Sequence, residues 1–183
     1  HDAVVMEEIV RARAPRPIDQ VMLAAHLLIT FGTSEQQGRY LPRIRSAQDI
    51  WCQLLSEPGV GSDLARLTTR AAAQPDGTFR VDGQKVWTTD GQWSQMGVLL
   101  ARTDPEAARP HAGLTMFVVD MATPGIEVRP IREMTGSDEF CEVYFDGAIL
   151  PPDSVLGELN QGWAVANSGL ISERAYVGAN AVM

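Results

Sequence analysis

Several things are scarce in this sequence, and each scarcity removes a class of protein. Only two cysteines, Cys52 and Cys141, occur in 183 residues. That is too few for a disulfide framework or a cysteine-based zinc site, and a reduced, cytoplasmic setting is the simplest expectation. Basic residues are outnumbered, 15 against 23 acidic ones for a net charge of −8, which argues against a general nucleic-acid or membrane-surface binder. An acidic ligand stays open, because a local cleft can be positive on an acidic protein. No apolar run approaches the roughly 20 residues that cross a bilayer, and the opening segment does not read as a signal peptide. With three histidines, no His/Cys/Asp cluster has metal-ligand spacing, so no metal is expected. The 45% hydrophobic and 21% charged residues are those of a globular chain able to bury a core unaided.

Periodicity changes twice along the chain. Residues 3–45 read as helical: a first helix over Val4–Arg13, a break at Pro15 and Pro17, then Ile18, Val21, Met22, Ala25, Leu28 and Ile29 as one buried face closed by Gly32. A further helix starts at Thr33 or Ser34 with Glu35, Gln36 and Gln37 in its first turn. Tyr40, Leu41 and Ile44 point inward, and Pro42 belongs near its end. From about Ile50 short strands take over: Leu67–Ala73, Phe79–Val81, Lys85–Thr89, Gly97–Arg102, Leu114–Val119, Gly125–Ile131 and Glu142–Phe145. Asp82-Gly83 reads as a two-residue hairpin between the second and third of these. Helical period returns from Gln161. The expected class is α+β, with N-terminal helices (1–46), an antiparallel β-barrel-like middle domain (47–158), and the first helix of a C-terminal helical domain (159–183). Nothing from Trp163 to Met183 signals a helix stop, so the chain is read as a fragment of a longer one.

Two stretches carry possible chemistry. Leu54-Leu55-Ser56-Glu57-Pro58-Gly59-Val60-Gly61-Ser62-Asp63 combines glycines and hydroxyls after an apolar strand, so its backbone N–H groups could cradle an anion. It matches neither the phosphate-loop nor the dinucleotide pattern, and on composition alone an ordinary turn accounts for it better. Lys85-Val86-Trp87-Thr88-Thr89-Asp90-Gly91 alternates so that Trp87 and Thr89 share a strand face about 6.6 Å apart, a plate and a hydroxyl suited to a planar heterocycle. A tryptophan filling the core is the competing account. His26 reads as a packed structural histidine, His111 as a solvated loop residue, and Met134–Asp138 as either a ligand-side loop or a plain turn. Arg174 alone says nothing.

Taken together and in order, these stretches resemble the flavin-dependent acyl-CoA dehydrogenase family. The resemblance runs from Gly32-Thr33-Ser34-Glu35-Gln36 through Tyr40-Leu41-Pro42, the Ser56–Asp63 signature and the Trp87-Thr88-Thr89 strand. It continues through Ala101–Pro105 and Phe117–Gly125 to Val155-Leu156-Gly157 and Gly162-Trp163. It implies FAD as cofactor and oxidation of an acyl-CoA thioester to the 2-enoyl-CoA, with a carboxylate removing the α-proton as the β-hydrogen leaves as hydride. It further implies Gln53, Leu55, Ser56, Trp87, Thr88 and Thr89 as flavin-side residues, with Thr89 near the ring N5, and Ser62 and Arg174 on the substrate side. The chain departs from the family at Ile171, where an acid is usual, and at Asp90, where Asn is common. The base is expected beyond Met183, with Glu173 the one carboxylate near the family's alternative position, so this chain alone is expected to be an incomplete enzyme. An electron-accepting flavoprotein partner and a dimer or tetramer are implied. The alternatives are a non-catalytic subunit of a heteromeric relative, or an acyl-CoA oxidase-like relative.

Overall fold

A computed structural model describes residues 8, 11–13 and 19–180. Most of the expected 4–13 helix, together with Pro15, Pro17, Ile18 and Met183, lies outside the described residues.

Helix α1 (Asp19–Phe31) buries Leu23, Ala24, Leu27 and Leu28. The inward face is therefore rotated from the expected one: Met22 is 42% and Ile29 63% exposed, and Val21 and Ala25 are half-buried. The competition is between two apolar stripes on one helix, and the stripe facing the last helix and the sheet wins. Helix α2 (Ser34–Arg45) starts where its sequence says. Thr33 Oγ1 accepts from the Gln36 N–H (3.2 Å) while Gln36 Oε1 accepts from the Thr33 N–H (3.0 Å), a reciprocal cap that satisfies two orphan donors. Gln36 also donates its amide to the Asp153 and Val155 carbonyls, both at 2.9 Å, which ties the helix to the sheet. Pro42 sits in the last turn, and Tyr40, Leu41 and Ile44 pack on the core.

Eight strands follow: β1 (Trp51–Leu54), β2 (Arg70–Ala73), β3 (Phe79–Thr89), β4 (Met96–Arg102), β5 (Leu114–Asp120), β6 (Ile126–Pro130), β7 (Phe140–Leu150) and β8 (Val155–Leu156). They form one sheet in the order β6-β7-β3-β2-β4-β5-β8, with β1 added onto β4. This corrects the expected antiparallel barrel. The sheet is open, ending at β6 and β8, and it is mixed, because β1 runs parallel to β4 and β2 meets β4 in parallel at Arg70 and Arg102. Asp82-Gly83 is not a hairpin either. Strand β3 runs straight through it with a register shift, and Gly83 is required there because a Cβ would sit 2.6–2.8 Å from Thr69. The true hairpin is Gln74–Thr78, centred on Pro75-Asp76-Gly77.

Two apolar cores lie on opposite faces of the sheet. Val98 and Leu100 of β4 join the helix-side core with Leu23, Leu27, Trp51 and Val165, whereas Leu99 and Ala101 face the other with Phe79, Phe117 and Val143. A strand buried on both faces reads as a continuous apolar run, which is what Val98–Ala101 shows. Helix α3 (Gly162–Asn180) closes the helix-side core. Its first residue must be glycine, since a Cβ would lie 2.5 Å from the Thr115 backbone. Gly169 lets α1 approach, and His26 Nε2 meets Ser168 Oγ at 3.0 Å, so His26 is a packing histidine between two helices.

Candidate functional site

The end of β1, the bulged end of β3 and the first turns of α3 converge on a cleft of about 360 Å³. Its walls come from Gln53 of β1, Leu55 and Ser56 just after it, Gly61, Ser62 and Leu64 in the following loop, Val86 and Trp87 of β3, and Trp163, Asn167, Leu170 and Arg174 of α3. That volume is at the small-molecule end of ligand sites. No carboxylate lines it among the described residues.

The loop after β1 is built tightly. Glu57 and Val60 exchange both backbone hydrogen bonds at 2.9 Å around Pro58-Gly59, a two-residue turn that suits proline and glycine. The Val86 N–H donates to the Ser56 carbonyl at 2.9 Å, so this loop is fastened to β3. Beneath it Lys85 is wholly buried, its Nζ 2.9 Å from the Leu55 carbonyl and 3.1 Å from Glu57 Oε1. Glu57 also accepts from the Thr68 N–H and hydroxyl at 2.7 Å and from the Thr69 N–H at 2.8 Å. Burial alone would raise the Glu57 carboxyl, but the Lys85 charge and the Thr69 and Thr68 donors outweigh it and hold it at about 2. Burial pulls the Lys85 ammonium down to about 8, against the opposing charge and hydrogen bond of Glu57.

At Lys85–Thr88 the β3–β7 register slips, and Trp87 takes a left-handed backbone, φ +60°. This conformation is costly for a bulky residue. Its effect is to turn the indole outward, 61% exposed, in a perpendicular contact with Phe140 whose ring centroid lies 5.9 Å away.

Of the residues singled out from sequence, the structure brings Gln53, Leu55, Ser56, Ser62, Trp87 and Arg174 to one cleft. Thr89 is half-buried and is not among the residues that line the cleft. Thr88 is 1% exposed on the opposite side of the strand, its hydroxyl without a partner. Glu173 stands beside the cleft, where its Oε1 accepts from Gln53 Nε2 at 3.2 Å. Among the described residues no group of three potential ligands could hold a metal, and no helix is long and apolar enough to cross a membrane. Both cysteines are free and buried, and burial pushes the Cys52 thiol up to about 12. Sequence reasoning missed the buried Lys85–Glu57 pair; the only hint was its place within the two motifs already noted. It also missed Asn167 and Leu170, which carry no local signature.

Comparison with known proteins finds a family for the chain. The family model "Acyl-CoA dehydrogenase, middle domain" matches residues 52–148, and "Acyl-CoA dehydrogenase, N-terminal domain" matches residues 1–48. Acyl-CoA dehydrogenase FadE34 of Mycobacterium tuberculosis is 46% identical over 173 residues, covering 93% of this chain and 24% of its own length. Acyl-CoA dehydrogenase IpdE1 of the same organism is 44% identical, covering 95% and 45%. The solved structure of the "Tcur3481-Tcur3483 steroid ACAD" superposes with a TM-score of 0.87 at 35% identity, covering 97% of this chain and 45% of that one. The chain thus spans between a quarter and half of the length of these relatives.

Proposed function

This chain belongs to the acyl-CoA dehydrogenase family, and from that premise we propose that it forms the flavin-facing and thioester-facing wall of an FAD-dependent enzyme that oxidises an acyl-CoA to its 2-enoyl-CoA. The observation that carries the reading is that Ser56, Trp87, Ser62 and Arg174 all line one cleft. The residues fit a planar, electron-poor ring. Trp87 offers an exposed indole face, Leu55 and Val86 an apolar floor, and the Ser56 N–H has no hydrogen-bond partner among the described residues.

FAD, when bound there, supplies the acceptor for the hydride that leaves the acyl β-carbon. The chain's own residues orient and polarise. Trp87 would pack against the ring and keep water from one side. Ser56 and Thr89 would offer hydroxyl donors to it, with Leu55 and Gln53 also on the flavin side. Ser62 would contact the CoA part of the substrate and Arg174 would stand on its substrate side, where a cation attracts the anionic CoA phosphates. A carboxylate must take the α-proton. Among the described residues the cleft walls contribute none; this reading places the base beyond Met183, with Glu173, beside the cleft, the weaker candidate. An electron-transferring flavoprotein as acceptor and a homo-oligomer belong to the same reading.

The test is a titration of the flavin-loaded full-length protein with an acyl-CoA and with its free acid. Tighter binding of the thioester and bleaching of the flavin are expected. Equal affinity for both, or no bleaching, would defeat the reading. Thr89→Val should keep the flavin bound and slow its reduction, the loss of one donor to developing charge being worth roughly 2–4 kcal/mol.

A second reading comes from the name of a structural relative: a subunit of a two-chain assembly in which a partner supplies the base. The structural relative "Tcur3481-Tcur3483 steroid ACAD" is named for two components. Under this reading a bulky, ring-bearing acyl-CoA is a substrate to include in the titration. The purified chain alone would then bind flavin poorly and show no turnover until its partner is added.

A further inference from the structure

A lysine with no accessible surface is rare in a small β-structure, and Lys85 has none. Leaving a cation there without partners would be costly, and the structure surrounds it with the Leu55 carbonyl at 2.9 Å and Glu57 Oε1 at 3.1 Å. Glu57 is in turn fastened to Thr68 and Thr69 at the entrance to β2. Three segments therefore meet on this pair: the loop after β1, the start of β2, and β3. The role assigned to the cleft uses none of these charges.

The Leu55–Ser56 peptide shows what they do. Its carbonyl is drawn inward onto the buried ammonium. No peptide bond here is cis, and in a trans peptide the N–H points opposite to the C=O. The Ser56 N–H is thereby aimed away from the lysine, on the side where Ser56 lines the cleft, and nothing among the described residues accepts from it. Ser56's own carbonyl is held by the Val86 N–H, so the peptides on both sides of Ser56 are fixed.

We infer that Lys85, braced by Glu57, is a positioning residue for the bound flavin: by gripping the Leu55 carbonyl it presents the Ser56 N–H to an electron-rich edge atom of the ring. The inference rests on the flavin reading above. A donor held this way stabilises negative charge that accumulates on the ring edge, and it needs no reorganisation when that charge appears.

Two pairs of variants of the full-length protein test it, read by FAD affinity, the visible flavin spectrum and the flavin midpoint potential. Glu57→Leu with Lys85→Met removes both charges while keeping apolar volume. It should fold, bind FAD about tenfold more weakly, and show a shifted spectrum with a lower potential. Ser56→Pro deletes the N–H and leaves the buried pair intact. It should reproduce the double variant's spectral and potential shifts and exceed those of Ser56→Ala, which loses only the hydroxyl donor and keeps the N–H. If the double variant fails to fold, the two Ser56 variants decide. Wild-type affinity, spectrum and potential in the double variant, or Ser56→Pro behaving as Ser56→Ala, overturn the inference. A wild-type protein that takes up no FAD defeats the flavin reading itself, and this inference with it.

Discussion

Lys85 Nζ and Glu57 Oε1 lie 3.1 Å apart with their side chains 0% and 4% exposed. The two residues come from different motifs, 28 positions apart, and the contact makes one unit of the loop and the strand that form the cleft wall. A buried pair of this kind contributes little against an apolar replacement, yet removing one partner leaves an uncompensated charge. Glu57→Leu alone should therefore lower unfolding free energy by about 3–5 kcal/mol. Adding Lys85→Met should restore most of it. Urea titrations of wild type and both variants measure this, and a double variant as unstable as the single one would count against it.

Acid provides a second measure of the same pair. The Glu57 carboxyl is held at about 2, below its ordinary 4.5. A carboxyl depressed by folding contributes stability that is complete above the unfolded value and lost as pH falls through the folded one. The window runs from about pH 4.5 down to about pH 2. Lys85 stays protonated throughout it and adds no slope. Exposed carboxyls held down by neighbours, such as Asp82 and Glu127, titrate alike in wild type and double variant. The wild type should thus lose more stability across that window than the Glu57→Leu/Lys85→Met protein; parallel losses would show that Glu57 is not coupled to folding.

Trp87 gives an inversion of the usual helix-and-strand expectation that alanine is safer than glycine. At φ +60° any side chain with a Cβ carries a penalty of about 1–2 kcal/mol that glycine avoids. Both substitutions remove the same edge contact with Phe140. Trp87→Gly should therefore unfold at higher urea than Trp87→Ala, by about 1 kcal/mol. Both should lose flavin affinity equally, because the aromatic plate is gone in each. Alanine proving the more stable of the two would mean that the left-handed turn relaxes once the indole is removed.

The order of elements was legible because periodicity is a local property: the capped start of α2, the return of helical period near Gln161 and most strands could be read from spacing. The open, mixed pairing of the sheet was not, because pairing β1 parallel to β4 joins residues about 45 positions apart and leaves no local mark. Asp82-Gly83 misled for a definite reason. The glycine that suggests a turn is there to let β3 pass Thr69. Likewise α1 carries two apolar stripes, and only the position of α3 decides which is buried. In the site, motif residues were visible as residue types in order. Lys85 looked like any polar strand residue, since its burial follows from the loop folding over it.

Glu173 separates two roles that one substitution can distinguish. Its carboxylate accepts from the Gln53 amide at 3.2 Å, which latches α3 to the end of β1 beside the cleft. It does not line the cleft, so the geometry favours a latch over a base that reaches an acyl α-carbon. Glu173→Gln keeps an oxygen that accepts from Gln53 and removes the ability to take a proton. As a latch, it should retain flavin reduction by an acyl-CoA within about threefold of wild type. Loss of a general base should instead cost at least about a hundredfold. Gln53→Leu supplies the converse, since it breaks the latch and leaves the carboxylate. It should loosen α3, seen as faster amide exchange in its first turns, at a cost of about 1 kcal/mol. Single-turnover bleaching of the flavin in both variants, at several pH values, measures the split. A hundredfold slower reduction in Glu173→Gln with normal reduction in Gln53→Leu would make Glu173 the base and reverse this assignment.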